Sequence, residues 1–356
     1  MKILLFDMDG VLLEPIGYHM ALKETVRLVS QSLGFENFIL SDQDIAQFEA
    51  LGISNEWHSS ALCAALFNII ASKPLLNIRP ALDRLFIAIA QHPADEPAIL
   101  RAQKATASLA KQYDVAPNQA VEIMQTSESI SHSFTLNIFQ ELVLGSKIFA
   151  KTYQRQPQLT VESYLQQYDV PQISSAVLNK LTNWLTDPHH YAAILTNRPS
   201  AIMLGKAGTP EAELGAQLIG LSGLPIVGSG EIHWLAQEMN VNVETLLKPA
   251  PTHALAAVFA ALGIPLEDSL KNSFSWIVSN HSINTRVIPK SEVYVFEDTT
   301  AGIISVENMQ RVLAQKNIHI NTHKIGISSN LIKISNLKDQ GALIYNSIND
   351  ALSEII

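Results

Sequence analysis

The chain has 356 residues, 47% of them hydrophobic and 16% charged, with a formal net charge of −9. Its length predicts roughly two domains, its hydrophobic and charged fractions predict a sizeable core and exclude wholesale disorder, and its 24 basic residues, gathered in no dense run, exclude nucleic acid or an anionic membrane as the main partner. Cys63 is the single cysteine, so no intramolecular disulfide forms. With no apolar run near about 18 residues and no basic region ahead of an apolar stretch, a soluble cytoplasmic protein is expected.

The first dozen residues set the pattern. Ile3-Leu4-Leu5-Phe6 is an apolar run that leads into Asp7-Met8-Asp9-Gly10, two carboxylates spaced i, i+2 at the end of a buried strand. In open α/β sheets that is where ligands bind. From Gly17 the period turns helical, with Leu22, Val26, Val29 and Leu33 on one face and Gly34 as a stop. A second stripe is Leu82, Leu85, Phe86 and Ile89, a third Leu178, Leu181 and Leu185, and further helices are expected near Asn55–Ser72, Ala98–Tyr113, Asn118–Thr126 and Ser133–Tyr153. In all, about 170 residues read as almost purely helical. Cys63 falls in one of these runs and reads as a buried, inert thiol.

Near Tyr191 the character reverts. Ala192-Ala193-Ile194-Leu195 is a short strand ending in Thr196-Asn197-Arg198-Pro199, and Leu224-Pro225-Ile226-Val227 is a weaker one. After Lys248-Pro249-Ala250-Pro251 comes a helix with Leu255, Val258, Phe259 and Leu262 on its apolar face, closed by Gly263. The segment Leu270–Pro289, polar and without clear period, reads as a loop insertion in which Trp276 is a local anchor; the sequon Asn280-His281-Ser282 within it is a chance match. Val293-Tyr294-Val295-Phe296 then runs into Glu297-Asp298, and Lys324–Ile327 and Ala342–Ile344 supply two more strands. Strands alternating with helices predict a parallel sheet, hence an α/β, Rossmann-like core at 1–13 and 186–356 with a large all-α domain inserted at 14–185.

Parallel strands put Asp7, Asp9, Thr196 and the Glu297-Asp298 pair along one edge of the sheet, with Lys248 at a loop end. Carboxylates converging in one crevice need a cation, and oxygen-only ligation suits Mg²⁺. A carboxylate can attack phosphorus, a second can trade protons with the leaving group and with water, and a hydroxyl and an ammonium can hold the transferring oxygens. The residues themselves thus point to phosphoryl transfer from a phosphomonoester.

In order, Asp7-Met8-Asp9-Gly10-Val11, Thr196, Lys248 and Glu297-Asp298-Thr299-Thr300-Ala301-Gly302 resemble the four motifs of the haloacid dehalogenase (HAD) superfamily. The resemblance implies Asp7 as nucleophile and metal ligand. It implies Asp9 as acid/base that also lends Mg²⁺ its backbone carbonyl. Thr196 and Lys248 become phosphoryl binders, Asp298 a direct Mg²⁺ ligand and Glu297 an outer-shell one. The inserted helical domain matches the place of that family's helical cap, at more than twice the usual length, and the stretch from Asn197 to Lys248 is also longer than the pattern expects.

In related caps a glycine-centred loop selects substrate, and Ala50-Leu51-Gly52-Ile53-Ser54-Asn55-Glu56-Trp57-His58 resembles one. Gly52, Ser54, Asn55 and, beside Thr196, Asn197 are the candidate substrate contacts; the alternative is that the loop is a helix cap, with Ser54 as N-cap and Trp57 packed in the core. Tyr18 and His19 open the first cap helix, where His19 reads as a satisfied helix-face histidine. Phe139–Gly145 reads as packing. Arg198 either reaches the phosphate or pairs with a core carboxylate. The expected activity is a Mg²⁺-dependent phosphatase acting on a small phosphate ester, with a homodimer through the cap as an option. The competing readings are a sugar-phosphate mutase of the same superfamily and a non-catalytic phospho-ligand-binding protein on the same fold.

Overall fold

The computed structural model describes residues 1–35, 38–71, 77–93, 95–201, 208–278 and 291–356. Its strands, in chain order, are β1 (Lys2–Phe6), β2 (Leu13–Glu14), β3 (Val170–Pro171), β4 (His190–Leu195), β5 (Ile226–Val227), β6 (Glu292–Glu297), β7 (Asn321–Ile327) and β8 (Leu343–Tyr345). Six of them form one sheet in the order β5-β4-β1-β6-β7-β8, every pair parallel. The other two pair antiparallel, Leu13 with Pro171 and Glu14 with Val170.

The sheet explains why the first strand is apolar without alternation. Ile3, Leu4, Leu5 and Phe6 are all fully buried, because helices cover both faces. Ile3 and Leu5 pack with Ala193, Leu195, Val293 and Val295 against the helices Ser229–Met239, Pro251–Ala261, Leu266–Val278 and Thr300–Gln315. Leu4 and Phe6 pack with Ile194, Phe296 and Ile325 on the opposite face, against Ser175–Trp184, Glu211–Ile219 and Ile348–Ile355. Phe6 and Phe296 stand opposite each other in register and stack at 4.9 Å.

The chain divides into two compact units, one of residues 1–15 and 169–356, the other of residues 16–168. The first is the α/β core. The helical unit is shorter than the expected 14–185, since Val177 and Leu181 of the helix Ser175–Trp184 are buried in the same cluster as Leu4 and Phe6.

In the helical unit the helix Glu56–Ala71 is central and packs against Ile16–Ser32, Ile78–Ala90, Ala98–Gln112, Pro117–Gln125 and Phe134–Leu144. Surrounded on all sides, it is apolar all round rather than striped. Cys63 lies inside it, 1% exposed, and burial pushes its thiol far up, consistent with an inert residue. The helix expected over Ser133–Tyr153 is two, Phe134–Leu144 and Ser146–Tyr153, broken at Gly145 with φ 78°. Buried Glu141 accounts for the break: it accepts from Ser146 Oγ (2.8 Å), Leu159 N–H (2.7 Å) and Gln158 N–H (2.8 Å), drawing the following loop against the helix end.

The expected loop at Leu270–Pro289 is corrected in its first half. Leu270 to Val278 belong to the helix Leu266–Val278, whose Leu270, Ser273 and Trp276 are buried on one face. Trp276, 2% exposed, packs edge-on against Phe259 at 5.1 Å and is the anchor expected of it. The remainder of that segment, with the sequon at Asn280, lies outside the described residues. Among the described residues no helix is long and apolar enough to cross a membrane.

Candidate active site

Three adjacent strands end in register. Phe6 pairs with Ile194 on one side and Phe296 on the other, so the next residue, Asp7, emerges level with Leu195 and Glu297 at the carboxyl edge of the sheet, with Thr196 one step further along its own chain. Backbone bonds extend the ladder one step, from Asp7 N–H to Phe296 O (2.9 Å) and from Thr196 N–H to Val227 O (3.1 Å). Met8 is fully buried between the two acids. The chain then wraps on Met8 O, which accepts from Leu12 and Leu13 N–H at 2.9 Å, and Gly10 turns it at φ 77°.

Lys248 arrives ahead of the helix Pro251–Ala261. Its loop is held by Ser305 Oγ on Ala250 O (2.6 Å) and Asn308 Nδ2 on Pro249 O (3.1 Å). Its ammonium lies 3.0 Å from Asp7 Oδ1 and 2.7 Å from Glu297 Oε1, and Asp7 Oδ1 also accepts from Met8 N–H at 2.8 Å. Burial opposes the charge on Lys248, but Asp7 and Glu297 outweigh it and hold the amine above its ordinary range. Burial, then the charge of Asp7, raises the Glu297 carboxyl well above the usual carboxylate value, with Lys248 opposing. Asp298 is raised by burial and by Asp7, against the pull of Lys333.

Asp7, Glu297 and Asp298 each present an oxygen such that the three lie within 4.8 Å of one another. An all-oxygen set of three largely buried carboxylates fits a hard divalent cation, which would offset their mutual repulsion. Two glycines make the room. A methyl on Gly302 would collide with Glu297 Oε1, and one on Gly10 with Asp298 Oδ2. Asp9 stands apart from this cluster: Arg198 Nε lies 3.1 and 3.2 Å from its two oxygens and Nη2 lies 2.5 Å from Oδ1. Arg198 also reaches Asp169 Oδ2 at 2.9 Å. Of the two options for Arg198, the structure has the carboxylate pairing.

Thr196 is 1% exposed, and its hydroxyl accepts from Arg198 N–H at 3.1 Å; Asn197 next to it is exposed. The sheet edge thus brings together Asp7, Asp9, Thr196, Lys248, Glu297 and Asp298. In the helical unit, the loop at Gly52 is a helix terminus: Ile53 N–H bonds Phe48 O (2.9 Å) and Gly52 N–H bonds Glu49 O (2.8 Å), with Gly52 at φ 81°. Arg101 Nη2 secures it on Leu51 O at 2.6 Å. The N-cap position of the next helix is Asn55, whose carbonyl accepts from Ser59 N–H (3.2 Å), and not Ser54. Ser54 and Gly52 are exposed, Asn55 and Trp57 half-buried, so Trp57 is not a full core residue. His19 is paired with Glu49 at 3.5 Å, as a helix-face histidine.

Three residues of the site went unread in the sequence. Asp169 completes the Arg198 pairing, yet nothing in its surroundings marks it. His253 is fully buried beneath the lysine loop, with Nε2 3.0 Å from Val227 O, and burial and then the Lys248 charge bring it down to about 3, so it is neutral. Lys333, which bonds Asp298 Oδ2, looks like any surface lysine in an early helix turn.

No protein-family model matches the chain, and no curated protein matches it. Among solved structures it is similar to an X-ray structure determined as a Northeast Structural Genomics Consortium target, with a TM-score of 0.72 and 16% identity over 100% of this chain and 98% of that one. At that identity the likeness shows the fold alone. A phosphatase from Thermococcus thioreducens aligns over 95% of this chain and 99% of its own, with 13% identity and a TM-score of 0.49, too slight a likeness to bear on function.

Proposed function

We propose that this chain is a Mg²⁺-dependent phosphatase of the HAD superfamily, hydrolysing a small organic phosphomonoester through an aspartyl-phosphate on Asp7. The observation that carries the reading is the convergence of Asp7, Thr196, Lys248 and the Glu297-Asp298 pair at one edge of three adjacent parallel strands, with the Lys248 ammonium between Asp7 and Glu297. When bound, the cation supplies charge neutralisation and polarisation of the phosphoryl oxygens.

The chain's own residues do the rest. A carboxylate oxygen of Asp7 attacks phosphorus as the ester P–O bond breaks, and Asp9, entering this step in its protonated form, gives its proton to the departing alkoxide and is left as the carboxylate that Arg198 holds. Asp9 then takes a proton from water, whose oxygen attacks phosphorus and breaks the bond to Asp7, releasing inorganic phosphate. Arg198 fixes the direction of the Asp9 carboxylate through both its oxygens. Thr196 Oγ and Lys248 Nζ offer donors to the phosphoryl oxygens in transit. Turnover of p-nitrophenyl phosphate or acetyl phosphate with Mg²⁺, abolished by EDTA and by Asp7→Asn, is the expected result. Turnover that survives Asp7→Asn would sink the mechanism.

A further inference from the structure

Asp298 has a partner that the four motifs leave unexplained. The helix Leu331–Asp339 is capped by Asn330, whose side chain accepts from Ile332 N–H (2.9 Å) and Lys333 N–H (3.2 Å). That fixes the first turn so that the Lys333 ammonium bonds Asp298 Oδ2. Both residues line a cavity of about 400 Å³ with Gly10, Glu14, Asn330 and Ser347.

The two lysines at the cluster are built differently. The Lys248 side chain is 3% exposed and clamped between two carboxylates, whereas that of Lys333 is 48% exposed and reaches Asp298 from the rim. A long, half-solvated stem can swing away at little cost; a buried ammonium cannot. Formal charge points the same way. Asp7, Glu297 and Asp298 with Lys248 leave minus two, which one divalent ion closes to zero. Lys333 is then a surplus positive charge against Asp298, repelled by the ion and deprived of its acceptor.

We propose that Lys333 is an exchangeable counter-ion for the cluster: it holds Asp298 while no divalent cation is bound, and gives Asp298 up when the cation enters, so that its ammonium is released into the adjoining cavity. This rests on the metal reading above. Any species that binds one partner of an ion pair competes with the other, so deleting the competitor tightens the cation by the free energy of the pair it had to break.

The test is calorimetric titration of Mg²⁺ into the wild type, Lys333→Met and Asp298→Asn, together with amine labelling of the wild type by acetic anhydride, read at Lys333 by mass spectrometry. Lys333→Met is expected to bind Mg²⁺ about two- to fivefold more tightly, the worth of a rim ion pair. Labelling of Lys333 is expected to rise when Mg²⁺ is added, while a lysine remote from the site, such as Lys271, stays constant. Unchanged or weaker affinity in Lys333→Met, or labelling that does not rise, would overturn the proposal while leaving the metal site standing, provided Asp298→Asn loses the ion. Failure of the wild type to bind Mg²⁺ would overturn both.

Discussion

Lys248 Nζ lies 2.7 Å from Glu297 Oε1, and these side chains keep only 3% and 0% of their surface. A pair this dry is held by mutual need: removing one partner leaves the other buried and charged. Lys248→Met keeps the volume and removes the charge, so at pH 8 the protein is expected to lose about 3–5 kcal/mol of stability. Part of the loss should return toward pH 5, because Glu297, already raised by burial, then neutralises itself by protonation. In the wild type the raised amine contributes fully below its ordinary value of 10.5 and is lost only as pH climbs through the folded value. Urea unfolding of both proteins at pH 5 and pH 8 checks the sign and the size.

Arg198 serves two acids at once. Its side chain and that of Asp169 are both fully buried, while Asp9 is 34% exposed. Arg198→Met should cost about 3–5 kcal/mol, mostly through the stranded Asp169. Arg198→Lys should recover little, since a single ammonium cannot span both oxygens of Asp9 and still reach Asp169. Double substitution with Asp169→Asn should recover more than Arg198→Lys does. Denaturation midpoints of the four proteins decide this, and a lysine variant as stable as the wild type would refute the two-acid role.

Three of the four motifs were legible because each ends an apolar run: Ile3–Phe6 before Asp7, Ala192–Leu195 before Thr196, Val293–Phe296 before Glu297. A parallel sheet buried on both faces writes its strands as unbroken hydrophobic blocks, and the polar residue that ends each block lies at the ligand-binding edge. The partners of those residues had no such signature. Arg198 and Asp169 are 29 positions apart and meet only through the fold; Lys333 follows two exposed apolar residues, Leu331 and Ile332, that mark no face. The helix Leu266–Val278 was hidden for another reason. Its buried face, Leu270, Ser273 and Trp276, holds a serine where a stripe needs an apolar residue, and Ser273 satisfies its hydroxyl locally on Leu270 O at 2.7 Å.

Gly302 sits inside the helix Thr300–Gln315, where alanine is intrinsically better by about 1 kcal/mol. Here the preference should reverse. A methyl at 302 would meet the Glu297 carboxylate, with Oε1, Cδ and Cγ all in the way, and Glu297 is fully buried and held by Lys248. Gly302→Ala is expected to destabilise by about 2 kcal/mol or more and to weaken Mg²⁺ binding in the same calorimetric titration. Gly223, around which a methyl would meet nothing within 4 Å, is the matched control: Gly223→Ala should stay within about 0.5 kcal/mol of the wild type.

Glu213 gives the α/β unit a pH dependence independent of the candidate active site. Its Oε1 accepts from Ala201 N–H at 2.9 Å, while Oε2 is buried with no hydrogen-bond partner among the described residues. Burial, with Glu231 and Glu211 adding like charge, pushes this carboxyl from 4.5 up to about 7. The unfolded chain gives up the proton near 4.5 and the folded one only near 7. Between those values the folded state holds more protons, so stability falls as pH rises, and the loss is complete above about 7. The shift corresponds to about 3 kcal/mol at most, reduced to about 1–2 kcal/mol because the side chain is only partly buried. Glu213→Gln keeps the shape and the Ala201 bond but never ionises. It should match the wild type at pH 4 and exceed it by about 1–2 kcal/mol at pH 8, with pH effects shared by both proteins cancelling in the difference. Urea midpoints at the two pH values measure that difference directly; equal stability at pH 8 would mean that Glu213 ionises in the fold without penalty, and that the buried oxygen is not held neutral.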